Sequence, residues 1–247
     1  MTRVAIMQPY VFPYLGYYQL LHSADRFVCF DDVNFIKKGW INRNRILLNG
    51  AAYTFTIPIA GASQNNSIRR SIIAEDVSWK PKLLANITHA YRKAPCFAEV
   101  FPAVEKLVTE AHGSIADMAE SSLRLVVERV GLPVSIHRSS ALALPEGIKA
   151  QERIIAVAAH HGATTYINPA NGAHLYDAER FREAGMDLKF LRMNAGVTYP
   201  QYGHAGFEPH LSMLDALMNC SAAELTTLLS RYTLLSQHEL SSSDPAA

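Results

Sequence analysis

The sequence predicts an α/β fold: a Rossmann-like, mostly parallel sheet with a helical insertion in the middle of the chain. Three observations carry this. The chain opens on an apolar strand that turns at once into a helix. Strand–helix alternation returns in its second half. Between them lies a stretch with helical periodicity and no strand signal.

The opening runs Arg3-Val4-Ala5-Ile6-Met7-Gln8, then Pro9-Tyr10-Val11-Phe12-Pro13-Tyr14-Leu15-Gly16-Tyr17-Tyr18. Residues 4–8 read as a strand and 14–23 as a helix. Such a turn aims the helix's unpaired N–H groups above the strand end, the usual ligand crevice of α/β proteins. A second strand over 26–30 ends in Asp31-Asp32, giving a strand–helix–strand order that fits a right-handed crossover. Residues 46–48 and 53–57 flank Asn49-Gly50 and read as a hairpin. Leu83, Leu84, Ile87 and Tyr91 recur near a 3.6 period and predict a helix over 79–93. Pro95 ends it. Helices over 97–112 and 115–130 follow, the second closed by Gly131. Then come a strand over 133–138, a helix over 148–161 and a strand over 164–167. A helix over 176–184 and a strand over 187–191 complete the alternation. The last helices read as 211–219 and 222–230. The division is an α/β core from 1–77 and 131–235, a helical insertion at 78–130, and a disordered tail over 236–247, where Ser, Asp, Pro and Ala dominate.

Composition narrows the function. Lys and Arg number 23 against 22 Asp and Glu, so nothing at chain level points to a nucleic-acid partner. Hydrophobic residues at 49% and charged ones at 18% fit a well-packed enzyme. Cys29, Cys96 and Cys220 are odd in number and far apart, which predicts free thiols in a reducing compartment. With no secretion signature and no apolar run of membrane-spanning length, the expectation is a cytoplasmic protein.

Four segments carry candidate chemistry. In the opening loop, Gln8, Tyr10, Tyr14 and Tyr17 face the expected crevice. Tyr14-Leu15-Gly16-Tyr17 stands where nucleotidylyltransferases and class I aminoacyl-tRNA synthetases carry His-x-Gly-His, but a phenol brings no positive charge to a phosphate. In the second segment, Asp31 and Asp32 close a strand, and Lys37, Arg43 and Arg45 suit phosphate. Trp40 there can stack on a base or sugar, while Asn42 and Asn44 add polar contacts. The alternative is a solvated loop whose charges pair among themselves. In the third, Asn168 ends a strand that enters a Gly-containing turn, and Asn171 reads as a turn or cap residue. In the fourth, Tyr199, Gln201, His210, Ser212 and Asp215 cluster around a helix start. His210 and Asp215 suit an acid–base pair, and local capping is the competing account. The adjacent His160 and His161 diverge by about 100° on a helix and make no two-ligand metal face. No Walker loop, dinucleotide fingerprint, Cys-x-x-Cys, zincin or serine-elbow motif is present, and no metal site or cofactor is indicated.

Taken together, Met7-Gln8-Pro9-Tyr10-x-Phe12-Pro13-Tyr14-x-Gly16-Tyr17, Asp31-Asp32-Val33-x-Phe35-x-Lys37, Trp40-x-Asn42-Arg43-Asn44, Tyr199-x-Gln201 and Phe207-x-Pro209-x-Leu211-Ser212-x-x-Asp215-x-Leu217-x-Asn219 resemble the WbqC-like family. His210 departs from the smaller polar residue, such as Asn, that the resemblance leads one to expect. The resemblance implies a setting in bacterial O-antigen, polysaccharide, unusual-sugar or natural-product synthesis, and hence a small-molecule substrate such as a nucleotide-linked amino sugar. The favoured reaction is acyl or aminoacyl transfer to an amine. Asp32 is the first candidate base, Tyr14, Asn42 or Asn44 the oxyanion donor, and Arg43 and Arg45 the phosphate clamp. An ATP-dependent ligase or nucleotidyltransferase and a non-catalytic sugar-nucleotide binding protein are the alternatives.

Overall fold

Six strands form one sheet in the order β5-β2-β1-β6-β7-β8. The computed structural model describes residues 1–145 and 147–242. Strands β1 (Arg3–Met7), β2 (Arg26–Cys29), β5 (Ser135–Arg138), β6 (Thr165–Pro169) and β7 (Asp187–Met193) run parallel. The edge strand β8 (Tyr232–Leu235) runs antiparallel to β7. A separate hairpin pairs β3 (Arg43–Leu48) with β4 (Ala51–Thr56). Its turn residues Asn49 and Gly50 both take positive φ, 54° and 75°, the two-residue conformation that matches strand twist.

Side-chain alternation along the sheet splits the core into two layers. Ala5, Phe27, Cys29 and Ile167 face one layer; Val4, Ile6, Val28 and Tyr166 face the other. The first layer holds α1 (Leu15–Ser23), the mid-chain helices α2 (Trp79–Tyr91), α3 (Phe97–Thr109) and α4 (Ile115–Val130), and then α7 (Met213–Asn219) and α8 (Ala222–Leu229). The hairpin joins this layer through Ile46 and Phe55. The second layer is smaller, with α5 (Ala150–His160) and α6 (Ala178–Glu183). The α/β class and its mid-chain helical region are thus as the sequence predicts. Gly131 closes α4 at φ 68°, a left-handed conformation that costs glycine little.

Three features differ from expectation. The four-residue β8 is too short to leave a periodic signature. The stretch expected as a disordered tail begins with α9 (Gln237–Ser242), whose start Ser236 secures by accepting from the Glu239 N–H. Residues 243–247, the rest of that expectation, lie outside the described residues. The expected helix over 176–184 begins only at Ala178, after a 3-10 turn over Ala170–Leu175.

The layers locate the crevice. From β1 the chain passes into α1 on the first face; from β6 it passes through the 3-10 turn into α6 on the second. Neighbouring strands whose connections leave in opposite directions open a gap above their C-terminal ends.

At the opposite end of the sheet, His161 packs its ring on His137, with centroids 4.7 Å apart. Burial lowers its pKa from 6.5 to about 4, helped by the charges of His137, His160 and Arg26. The native state therefore takes up this proton later than the unfolded chain. Its stabilising effect is complete above pH 6.5 and is lost as pH falls toward 4. The melting temperature should drop across that window, and His161→Gln should flatten part of the slope in a pH series of thermal melts.

Candidate functional site

Two adjacent chambers lie at the gap between β1 and β6. One, of about 360 Å³, is walled by Tyr10, Tyr14 and Trp40, with Asn44, Arg45, Asn171 and His210 as its other polar groups. The other, of about 520 Å³, carries Gln8, Gln151, Asn168 and His174 among the apolar Phe30, Ile154 and Leu175. Met7, Pro169 and Asn171 line both and form the sill between them.

The opening loop is held by an unusual turn. Phe12 is buried and sits at φ 44°, a strained conformation for a residue with a Cβ. Its carbonyl accepts from Asn44 Nδ2 at 2.6 Å and Ser212 Oγ at 2.7 Å, and its N–H donates to Ser122 Oγ at 2.9 Å. The Ser212 N–H donates to the Arg45 carbonyl, and the Met213 N–H to the Pro13 carbonyl. Loop, hairpin and α7 start are thereby sewn together. Asn44 and Ser212 belong to the scaffold of the site; only Asn44 also reaches the chamber wall.

Arg45 is the cation of the aromatic chamber. Its guanidinium lies 5.8 Å from the centroid of the Trp40 ring and donates to the Pro209 and His210 carbonyls. Its Nε has no hydrogen-bond partner, and among the described residues it makes no ion pair. Across the chamber, Tyr14 and His210 meet edge to face, with ring centroids 5.8 Å apart. Burial raises the Tyr10 and Tyr14 phenols above their usual range, so both are neutral donors at physiological pH.

The His-x-Gly-His analogy does not survive the geometry. Tyr17 is buried, and its hydroxyl donates to the Gln8 carbonyl at 2.7 Å instead of to a ligand. Gly16 is needed because the Tyr14 ring folds over it: a Cβ there would meet the ring carbon Cε2 at 2.5 Å.

The acidic pair is also committed elsewhere. Asp31 is fully buried and accepts from the Ser140 N–H and Oγ at 3.1 and 2.8 Å. Asp32 is salt-bridged to Arg153 and accepts from Ser139 Oγ at 2.6 Å. A carboxylate paired this way is poorly placed to collect a substrate proton. Arg153 also lies 5.8 Å from the centroid of Phe30, so the pair braces a wall of the second chamber. Ser139, Ser140 and Arg153 were not singled out in the sequence, where they stand over 100 residues from the pair.

Nor do His210 and Asp215 form the acid–base pair considered from sequence. Asp215 is fully buried and accepts from the Tyr91 hydroxyl at 2.9 Å, Gln201 Nε2 at 3.0 Å and Tyr199. Burial raises its pKa while those donors oppose the shift. Tyr199, Gln201 and Asp215 thus make an internal network behind the α7 start. Asn42 is buried and bonded to the Ile57 carbonyl; Lys37 and Arg43 line a different groove. Asn168 donates to the Pro169 carbonyl and borders the second chamber. Asn171, read as a turn residue, lines both chambers; its position just past a strand end was the available signal.

The thiols are not nucleophile candidates. All three are free, Cys29 and Cys220 are buried, and burial pushes the Cys220 thiol up to about 12. No group of three or more His, Cys, Asp or Glu among the described residues suits a metal ion. No helix among them is long and apolar enough to cross a membrane.

Comparison with known proteins settles the family. The model of the WbqC-like protein family matches residues 8–227. The chain belongs to that family. It is also similar to the uncharacterized protein Rv1507c of Mycobacterium tuberculosis, 25% identical over 223 residues, covering 90% of this chain and 95% of that one. No solved structure gives a significant match. The match spans both sides of the WbqC-like crevice, from Gln8 through Asn171 to His210.

If the Asp32–Arg153 pair is architectural, each single alanine substitution should destabilise the fold by about 1–3 kcal/mol. The double variant should cost clearly less than the two combined, in a denaturant double-mutant cycle.

Proposed function

We propose that this WbqC-like protein is a small-molecule group transferase that moves an acyl or aminoacyl group onto an amine of a nucleotide-linked sugar, in bacterial polysaccharide (O-antigen) or natural-product biosynthesis. One observation carries the reading. A guanidinium without a carboxylate partner among the described residues lies on Trp40 in an aromatic chamber, and a second chamber lined by neutral amides shares Met7, Pro169 and Asn171 with it. An unpaired Arg beside aromatic rings suits the phosphate and base of a nucleotide. Gln8, Gln151, Asn168 and Asn171 suit sugar hydroxyls.

The same geometry supports a different choice of catalytic groups. His210 is the base that takes a proton from the amine, a role Asp32 cannot fill while bound to Arg153. Tyr14, neutral and at its side, donates to the oxygen of the tetrahedral intermediate. Once the ammonium has given one proton to His210, the amine adds to the carbonyl carbon. The intermediate then collapses as the bond to the leaving group breaks, and that group takes the second nitrogen-bound proton.

Thermal melts with UDP-glucosamine test the binding half. Ligand well above its Kd should raise the melting temperature by several degrees. Arg45→Ala should weaken binding at least tenfold. The absence of any shift with uridine- and thymidine-linked amino sugars would sink this reading. In a transfer assay, His210→Gln should lower kcat by about 100-fold or more with binding within twofold.

A further inference from the structure

Lys37, Lys38 and Arg43 do not line the crevice. With Asn42 they line a separate groove of about 360 Å³, closed on its other side by Pro58 and Ile59. No carboxylate lines it, and none of the three cations has an ion pair among the described residues. Both lysines are exposed. Arg43 donates one N–H to the Lys38 carbonyl at 2.9 Å, which fixes the turn where Lys38 takes φ 60°. Four of the five N–H donors of a guanidinium are left over from that bond. Asn42 is buried with its Nδ2 on the Ile57 carbonyl at 2.7 Å, and its Oδ1 has no partner.

The groove and the crevice are neighbours. Alternation along β3 puts Arg43 and Arg45 on the same side of the strand, and the Trp40 ring lies beside Arg45. Three cations in a concavity without a counter-charge repel one another, and a ligand carrying two or more phosphates relieves that repulsion. One phosphate would leave part of the charge unmatched.

We propose that this groove is a second anion site, holding the phosphates of the acyl donor's carrier: a thioester on a phosphorylated nucleotide handle, of which coenzyme A is the simplest probe. The assignment rests on the transferase reading above. The acyl end passes Trp40 into the crevice. There His210 takes one proton from the ammonium, and the resulting amine attacks the thioester carbonyl. The C–N bond forms, the C–S bond breaks, and the departing thiolate takes the second nitrogen-bound proton.

Isothermal titration with coenzyme A and with inorganic pyrophosphate tests the proposal. Both should bind, more weakly as salt rises. The double variant Lys37→Ser/Lys38→Ser should lose at least tenfold in affinity for each, and Arg45→Ala should stay within twofold. Saturating UDP-glucosamine should leave coenzyme A binding unchanged. Exposed lysines make the double variant safe for folding, which equal melting temperatures verify; Arg43→Lys, which keeps the charge and loses the fork, is the second variant. Failure of either probe to bind, equal loss in Arg45→Ala, or displacement by UDP-glucosamine overturns the second site. If UDP-glucosamine does not bind while coenzyme A binding still follows the lysines, the acceptor reading falls and the groove stands.

Discussion

The Phe12 carbonyl is the point on which the site depends. A bulky residue in a left-handed conformation costs about 1–3 kcal/mol, so the turn persists only because its surroundings over-determine it. Asn44 and Ser212 do so by converging on one oxygen from the hairpin and from the start of α7. Ser122 Oγ, on α4, fixes the same residue's N–H. Four segments distant in sequence thus agree on where Tyr10, Pro13 and Tyr14 stand. Polar residues that invite a substrate-binding role instead build the wall of the chamber.

The same economy explains the charges. In a low-dielectric surround, a buried carboxylate needs donors or a cation, and Asp31, Asp32 and Asp215 each have them. Among the described residues, the cations Arg45, Lys37, Lys38 and Arg43 keep no such partner, and they stand on concave surface. Unbalanced positive charge beside the crevice makes a positive potential there.

Much of the fold was legible because it is local. The strand–turn–helix opening, the Asn49-Gly50 hairpin and the Gly131 cap each rest on residues within a few positions of one another. The gathering of Tyr10, Tyr14, Trp40, Arg45 and His210 around one chamber was legible because aromatic and cationic side chains beside a strand end have few other uses. What stayed hidden depends on contacts across the chain. Nothing near Asp32 announces Arg153, and nothing near Asp215 announces Tyr91. Asn42 and Asn44 look alike on paper. The fold turns one toward a strand carbonyl and the other toward the strained turn.

The central place of β1 has a consequence for how the chain is made. This strand leaves the ribosome well before β6, with which it pairs on one side and whose residues come some 160 positions later. Ser212, which fixes the Phe12 carbonyl, is made later still. Until then the most apolar strand and the most aromatic loop of the nascent protein lack their partners. Pairings this distant fold slowly and leave sticky surface uncovered meanwhile. Translation must therefore pass Ser212 before the crevice exists, and a chain cut short before that emerges with its aromatic loop exposed to chaperones and proteases.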